Sequence, residues 1–484
     1  MSLNYSIASR SATGGALLLS RQIVVQSANF VGTILLARFL SISDYGFFGI
    51  VYFLFSFIIN FGDIGLSASL LHQTEEPTEK DYNIIFSAQI ILTTLVALIF
   101  SISSPLLCKA YKLPNSFSLY FVLIAASLIS TAFKVTPTAR LERHLDFKWL
   151  SIIEIIQALI YNLCAAIMAY HRLGPLSFSL ALLIRSIVGS ILINIVSPRM
   201  PRFDTNFPIL KKHLAFGLPF QASLFINSLK DSISPIIIGL ILGISQTGTV
   251  NMAVTIAALP VMFLFIFSRI YFPAFSRAKS DSIQLNYLFR LFVRLSNSFV
   301  APLAIFILIF PDQVISYIFS PKWLITKPLL FLLWSANVFV PGTLVCISLM
   351  NALGYAKTVL KYNLLWMILT LGLSTPLVFT LGPLGFGYAN LAVNISMLLI
   401  FQTVGNLINV NIYKETILGW IPALLSVVVL ILIKMLLPQG KLILTLSFLS
   451  YFILSSMVTI LFSHKDLIVI IKSFNFRRLD EKQS

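Results

Sequence analysis

Apolar runs long enough to cross a bilayer recur from one end of this chain to the other, and no other feature restricts its fold so severely. A helix needs about 20 consecutive apolar residues to span hydrocarbon. Such runs lie near 16–37, 45–71, 82–106, 117–136, 149–170, 174–196, 216–243, 248–272, 289–311, 328–350, 359–381, 384–409, 416–437 and 441–463. Hydrocarbon offers no partner to an open backbone, so each run is expected to be a helix, whereas a barrel would show short alternating segments. The expectation is an all-α integral membrane protein of about fourteen transmembrane helices. Only 11% of the 484 residues are charged and the mean hydropathy is +0.93. A soluble chain carries roughly 25% charged residues, so no separate soluble domain is expected.

The net charge of +17 would suggest nucleic acid in a soluble chain. Here the distribution of Lys and Arg between alternate loops decides its meaning. With the amino terminus inside, the inner loops and tail collect 23 basic residues and the outer loops 8. Both termini are therefore expected in the cytoplasm, and basic residues spread over many short loops exclude a nucleic-acid stripe. The first apolar run holds Arg21, Gln22, Gln26 and Asn29, which a signal-peptide core would not, so it reads as an uncleaved span. Cys108, Cys164 and Cys346 lie far apart, and the chain has no zinc spacing and no phosphate-binding glycine loop. No metal, no cofactor, no ATP-driven step and no enzymatic activity is expected.

"LGPLSF" at 173–178 returns as "LGPLGF" at 381–386, a shift of 208. "LLARFLSISDYGFFGI" at 35–50 aligns with "IIGLILGISQTGTVNMA" at 237–253 at a shift of 202, placing Leu40, Ile42, Ser43 and Gly46 on Leu242, Ile244, Ser245 and Gly248. "LERHLDF" at 141–147 aligns with "LMNALGY" at 349–355 at a shift of 208. Three matches at consistent shifts predict a duplication. It consists of a six-helix lobe over 1–198, a second over 199–412, and two added helices with a cytoplasmic tail over 413–484. An even number of helices per lobe makes the repeats parallel, related by a pseudo-two-fold axis along the membrane normal.

"LARFLSISDYGFFGIVYFLFSFIINFGDIGLSASLL" at 36–71 resembles the signature of polysaccharide and O-antigen flippases, the Wzx-type branch of the multidrug/oligosaccharidyl-lipid/polysaccharide exporter superfamily. "ARLERHLDFKWLSIIEIIQAL", "LAFGLPFQASL" and "FPAFSRAKSD" (139–159, 214–224 and 272–281) resemble later landmarks of the same family. The resemblance implies a bacterial inner-membrane flippase moving an undecaprenyl-diphosphate-linked oligosaccharide outward, with a proton or sodium ion as coupling partner and a glycan polymerase as neighbour. A multidrug or cation antiporter of the same superfamily, and a membrane polysaccharide polymerase or ligase, remain as alternatives.

Charges within spans are costly, about 2.5–3.5 kcal/mol for a central lysine, and so mark candidate sites. Asn227, Lys230, Asp231 and Ser234 follow i, i+3, i+4, i+7 and share one helix face. Lys230 would attract the diphosphate and Asp231 would tune it or carry a proton, or Lys230 would pair structurally with another span. Gln22, Gln26 and Asn29 form a second stripe with Arg21 beside it, read either as cavity lining or as a snorkelling cation. Arg185 lies mid-span without a same-face acid, as a cavity cation or as a partner of Asp231 or Glu154. Asp63 reads as a helix breaker or an anchor against Arg140 or Arg143 in preference to a proton carrier. Asp44 reads as a helix N-terminal residue favoured by the dipole. Pro219, Pro235 and Pro260 invite kinks, and Trp149, Trp323 and Trp420 are expected as interfacial anchors.

Overall fold

The computed structural model describes residues 2–462 except 74, 145, 199–201, 233, 263 and 437–439. The side chains of 2–16, 18–19, 57, 60–62, 219–220, 222–232, 234, 265–266, 268–269, 441–442 and 461–462 lie outside that description. The described chain is helical, as expected of spans that must satisfy their own backbone. Among the described residues nine helices are long and apolar enough to cross a membrane, or up to ten when Pro321–Leu333 and Ala336–Ala352, bent by 51°, count as one span. That criterion does not reproduce a count of fourteen, because several expected spans are divided into shorter helices.

Two compact units divide the chain at Asn251 and Met252. The first contains α1 (Ser2–Phe39), α2 (Ile42–Asp63), α3 (Leu66–His72), α4 (Glu79–Ala110), α5 (Ser118–Arg143), α6 (Phe147–Tyr170), α7 (Leu176–Val196), α8 (Phe207–Ser232) and α9 (Ser234–Leu242), and the first turns of α10 (Ile244–Met262). Within it α5 packs on α4 and α7, and α6 packs on α1 and α7. The second unit completes α10 and continues through α11 (Leu264–Ala278), α12 (Ser282–Ile309), the single turn α13 (Pro311–Gln313), α14 (Lys327–Leu333) and α15 (Ala336–Ala352). It ends with α16 (Ala356–Leu381), α17 (Pro383–Ser396), α18 (Leu398–Ile408), α19 (Ile412–Leu436) and α20 (Lys441–Phe462). There α12 packs on α19, α16 on α17, α11 on α15 and α19 on α20.

Local chemistry sets the ends of these helices. Ser41 and Asp44 form a reciprocal capping box at the start of α2, and Thr78 and Asp81 form another at α4, so the Asp44 carboxylate accepts from the Ser41 backbone N–H as well as complementing the dipole. The expected span over 45–71 breaks between α2 and α3, where Ile64 (φ 41°) and Gly65 (φ 75°) are both left-handed. Gly65 abuts Gly217 of α8, whose carbonyl carbon would stand 2.7 Å from an added Cβ, so α3 can meet α8 only without that side chain. Each Gly-Pro joint of the repeated hexapeptide precedes a helix. Gly174 (φ 53°) and Pro175 lead into α7, and Gly382 (φ 61°) and Pro383 open α17.

The outer surface is apolar where a water-soluble helix would be polar. Along α4, Ile91, Leu95, Leu98, Ile102 and Leu106 are exposed at helical spacing, a face that only hydrocarbon solvates well. Two of the three tryptophans expected at the interface are core residues. Trp323 is fully buried, and Trp420 is buried with its Nε1–H donating to Asn297 Oδ1 at 3.0 Å; Trp149 is exposed as expected. The indole N–H tolerates burial once it finds an acceptor.

Candidate functional site

A cavity of about 390 Å³ opens inside the first unit, between α2, α4, α5 and α8. Its polar lining follows from helix periodicity. Thr131, Lys134, Thr138 and Glu142 fall three or four residues apart on α5, and Gln89 and Thr93 lie one turn apart on α4. Asp63 and Ser67 enter from the α2–α3 break and Gln221 from α8, while Ile58, Ile59, Val96 and Leu128 supply apolar wall. Asp63 accepts from the Ser67 backbone N–H at 3.1 Å and from its hydroxyl, which ties α3 to the end of α2. The expected anchoring of Asp63 on Arg140 or Arg143 is not what is seen. Arg143 donates instead to the carbonyls of Leu70, Gln73 and Glu75 at 2.8, 2.9 and 2.6 Å, because chain leaving α3 presents carbonyls with no helical partner.

Beside the cavity lies a cluster of charge, half-buried except for the exposed Glu154. Arg21 of α1 pairs with Glu154 of α6 at 2.8 Å, and the Arg21 side chain is only 13% exposed, so it is held in the bundle and does not snorkel. Lys134 donates to Gln157 Oε1 at 3.4 Å and has Arg185 and Glu154 as charged neighbours. Glu142 lies within electrostatic reach of Glu154 and Arg21. Arg185 stands over the Tyr161 ring, 5.7 Å from its centre, the cation–π alternative to the expected ion pair with Glu154. Among the described residues, three cations from α1, α5 and α7 therefore meet two carboxylates from α5 and α6.

Of the sequence candidates, Arg21, Arg185 and Asp63 fall at or beside this site. Asn29 accepts a hydrogen bond from Asn162 Nδ2 at 2.9 Å, joining α1 to α6, and Gln22 and Gln26 are half-buried on the same helix. Asn227, Lys230, Asp231 and Ser234 lie outside the described side chains. Sequence reasoning missed Lys134, Glu142 and Gln157. Ending the span at 136 put Lys134 in a loop, whereas α5 runs through Pro137 to Arg143 and leaves Lys134 nine residues, about 14 Å, from its end. The 3–4 spacing of polar residues from Thr131 to Glu142 was the available signal.

His213 of α8 braces the wall behind the cavity. It is buried, its Nδ1 shares a hydrogen bond with Ser69 Oγ of α3 at 2.8 Å, and its Nε2 faces Asp81 of α4 at 3.6 Å. Burial holds its pKa below the ordinary imidazole value, with Asp81 opposing that shift and Lys212 adding to it.

Comparison with known proteins places this arrangement. The fold resembles that of the lipid II flippase MurJ in its inward closed conformation, with a TM-score of 0.73 at 13% identity, covering 94% of this chain and all of that one. A multidrug resistance MATE family transporter of the MOP superfamily, in its inward-facing conformation, has a TM-score of 0.62 at 15% identity, covering 82% of this chain and 99% of that one. In sequence the chain is 24% identical to the teichuronic acid biosynthesis protein TuaB of Bacillus subtilis over 276 residues, 55% of this chain and 56% of that protein. It is 22% identical to the succinoglycan biosynthesis transport protein ExoT of Rhizobium meliloti over 347 residues, 71% of this chain and 69% of that protein. The match thus spans little more than half of TuaB, and 64% of an uncharacterized membrane protein in the cps region of Klebsiella pneumoniae. The family described as polysaccharide biosynthesis protein matches residues 35–328, more than half of the chain, and the chain belongs to that family.

Proposed function

We propose that this chain is a flippase that carries an undecaprenyl-diphosphate-linked oligosaccharide from the cytoplasmic to the outer leaflet of the bacterial inner membrane. Each sugar hydroxyl and the diphosphate would cost several kcal/mol in hydrocarbon without partners, so the head group needs a polar route while its polyprenyl tail stays in lipid. The observation that carries this reading is the gathering of three cations, Arg21, Lys134 and Arg185, with Glu142 and Glu154 beside them, inside an apolar bundle. Intramembrane cations are expensive, and an anionic ligand offsets that cost.

In this reading Arg21, Lys134 and Arg185 receive the diphosphate, and Gln22, Gln26 and Asn29 extend the polar path. Asn227, Lys230, Asp231 and Ser234, which share one face by their spacing in sequence, supply further polar groups. Two six-helix repeats, 1–198 and 199–412, perform alternating access, the segment 413–484 is an addition, and both termini are cytoplasmic. A proton or sodium ion drives the cycle, Asp231 being its carrier, and a glycan polymerase takes the delivered unit. The protein acts as a transporter and not as an enzyme.

Deletion of the gene tests this directly. Lipid-linked units should accumulate on the cytoplasmic side, and a wild-type copy, but not one carrying Lys134→Met and Arg185→Gln, should clear them. Loss of polymer with units already on the outer leaflet would instead identify a polymerase.

A further inference from the structure

The cavity between α2, α4, α5 and α8 differs in chemistry from the cation cluster beside it, and this division points to a second subsite. We infer that the cavity holds the sugar ring attached to the diphosphate and selects an uncharged one, an inference that rests on the flippase reading above.

Lys134 stands at the boundary. It lines the cavity, yet its ammonium is directed to Gln157 and toward Arg185 and Glu154. Beyond it the polar lining among the described residues consists of the hydroxyls of Ser67, Thr93, Thr131 and Thr138, the amides of Gln89 and Gln221, and the carboxylates of Asp63 and Glu142. Hydroxyls, amides and carboxylates supply the donors and acceptors that ring hydroxyls require, and Ile58, Ile59, Val96 and Leu128 supply an apolar surface for ring C–H groups. A volume of about 390 Å³ holds roughly a dozen water-sized groups, about the number of heavy atoms in one hexose. Among the described lining residues two carboxylates, Asp63 and Glu142, stand against one lysine and repel a second anion, which disfavours a uronic acid or a further phosphate at this position. The diphosphate and the ring therefore sort by charge, one on each side of Lys134.

The test uses the full chain in lipid nanodiscs with four probes: decaprenyl diphosphate, and the same lipid carrying glucose, N-acetylglucosamine or glucuronic acid. The expected result is that at least one uncharged-sugar probe binds about tenfold tighter than the bare diphosphate, and that the glucuronyl probe binds no tighter than it. Thr138→Val, which keeps shape while removing a hydroxyl, and Gln89→Ala should each cut that advantage several-fold and leave binding of the bare diphosphate unchanged. Should Gln89→Ala fail to fold by thermal melting, Thr138→Val decides alone. Uncharged-sugar probes that bind no tighter than the bare diphosphate would overturn the subsite but not the flippase. So would tightest binding of the glucuronyl probe, or parallel loss of bare and sugar-bearing probes in Thr138→Val. Failure of the wild type to bind any of the four would overturn both.

Discussion

Gly46 and Gly248 meet backbone to backbone. A Cβ on Gly46 would stand 2.8 Å from the Gly248 nitrogen, and one on Gly248 would stand 3.0 Å from the Gly46 nitrogen. The contact is reciprocal, since Gly46 also abuts the Ile244 carbonyl and Gly248 the Ile42 carbonyl. Residues paired by the 202-residue shift thus touch each other. Gly49 and Asn251, related by the same shift, are adjacent as well.

Alanine at either glycine must push α2 and α10 apart. Gly46→Ala and Gly248→Ala are each expected to destabilise the protein by about 1–3 kcal/mol, the usual cost of overpacking. The double variant should cost less than the sum, because the first methyl already opens the contact. Thermal melting of the four proteins in one nanodisc composition measures this, and strict additivity would show that the two glycines are not coupled.

The Arg21–Glu154 pair should contribute little to stability and much to transport. Glu154 is 51% exposed, so a double-mutant cycle should return about 0.5–1 kcal/mol of coupling. The exchange Arg21→Glu with Glu154→Arg should restore the melting temperature of the single variants without restoring transport, because it moves the cation from α1 to α6. Recovery of transport by the exchanged pair would make the residues a simple brace.

Glu415 is buried on α19 and bonds Arg294 of α12, with Arg290 farther away at 4.0 Å. Arg294 and Arg290 are 29% and 49% exposed, so the cations can reach water if the carboxylate is lost, whereas the carboxylate cannot. Arg294→Ala should therefore cost about 3 kcal/mol and exceed Glu415→Ala. Equal melting losses for the two variants would contradict this asymmetry.

Acid should loosen the α3–α4–α8 corner through His213. Its pKa is lowered in the fold, so the unfolded chain binds the proton first as pH falls through about 6.5. The stability that neutral His213 provides is fully present above that value and is lost as pH falls through the lower folded pKa. Melting temperature should fall between pH 7.5 and 5.5, and His213→Gln should flatten that fall. An unchanged profile in the variant would remove His213 from the acid response.

The helical membrane class was legible without coordinates, because long apolar runs leave the backbone one way to satisfy itself. The pairing at a shift of 202 was legible too, and it aligns Gly46 with Gly248, which are in contact. Arg21 and Arg185 stood out because charge inside a span has few alternatives to a role. Lys134 and Glu142 did not, since Pro137 reads as an end when nothing shows the helix continuing past it.

Sequence alone therefore determined the class of solvent and the helical architecture, both of which depend on residue type and periodicity along one segment. Only the tertiary structure decided that Glu154 pairs with Arg21, that Arg185 meets Tyr161, that Trp323 is buried, and that α2, α3, α4, α5 and α8 line one cavity with Lys134 at its wall. These depend on which faces of different helices meet, and apolar helices in lipid can pack in many ways until small residues and buried polar partners select one.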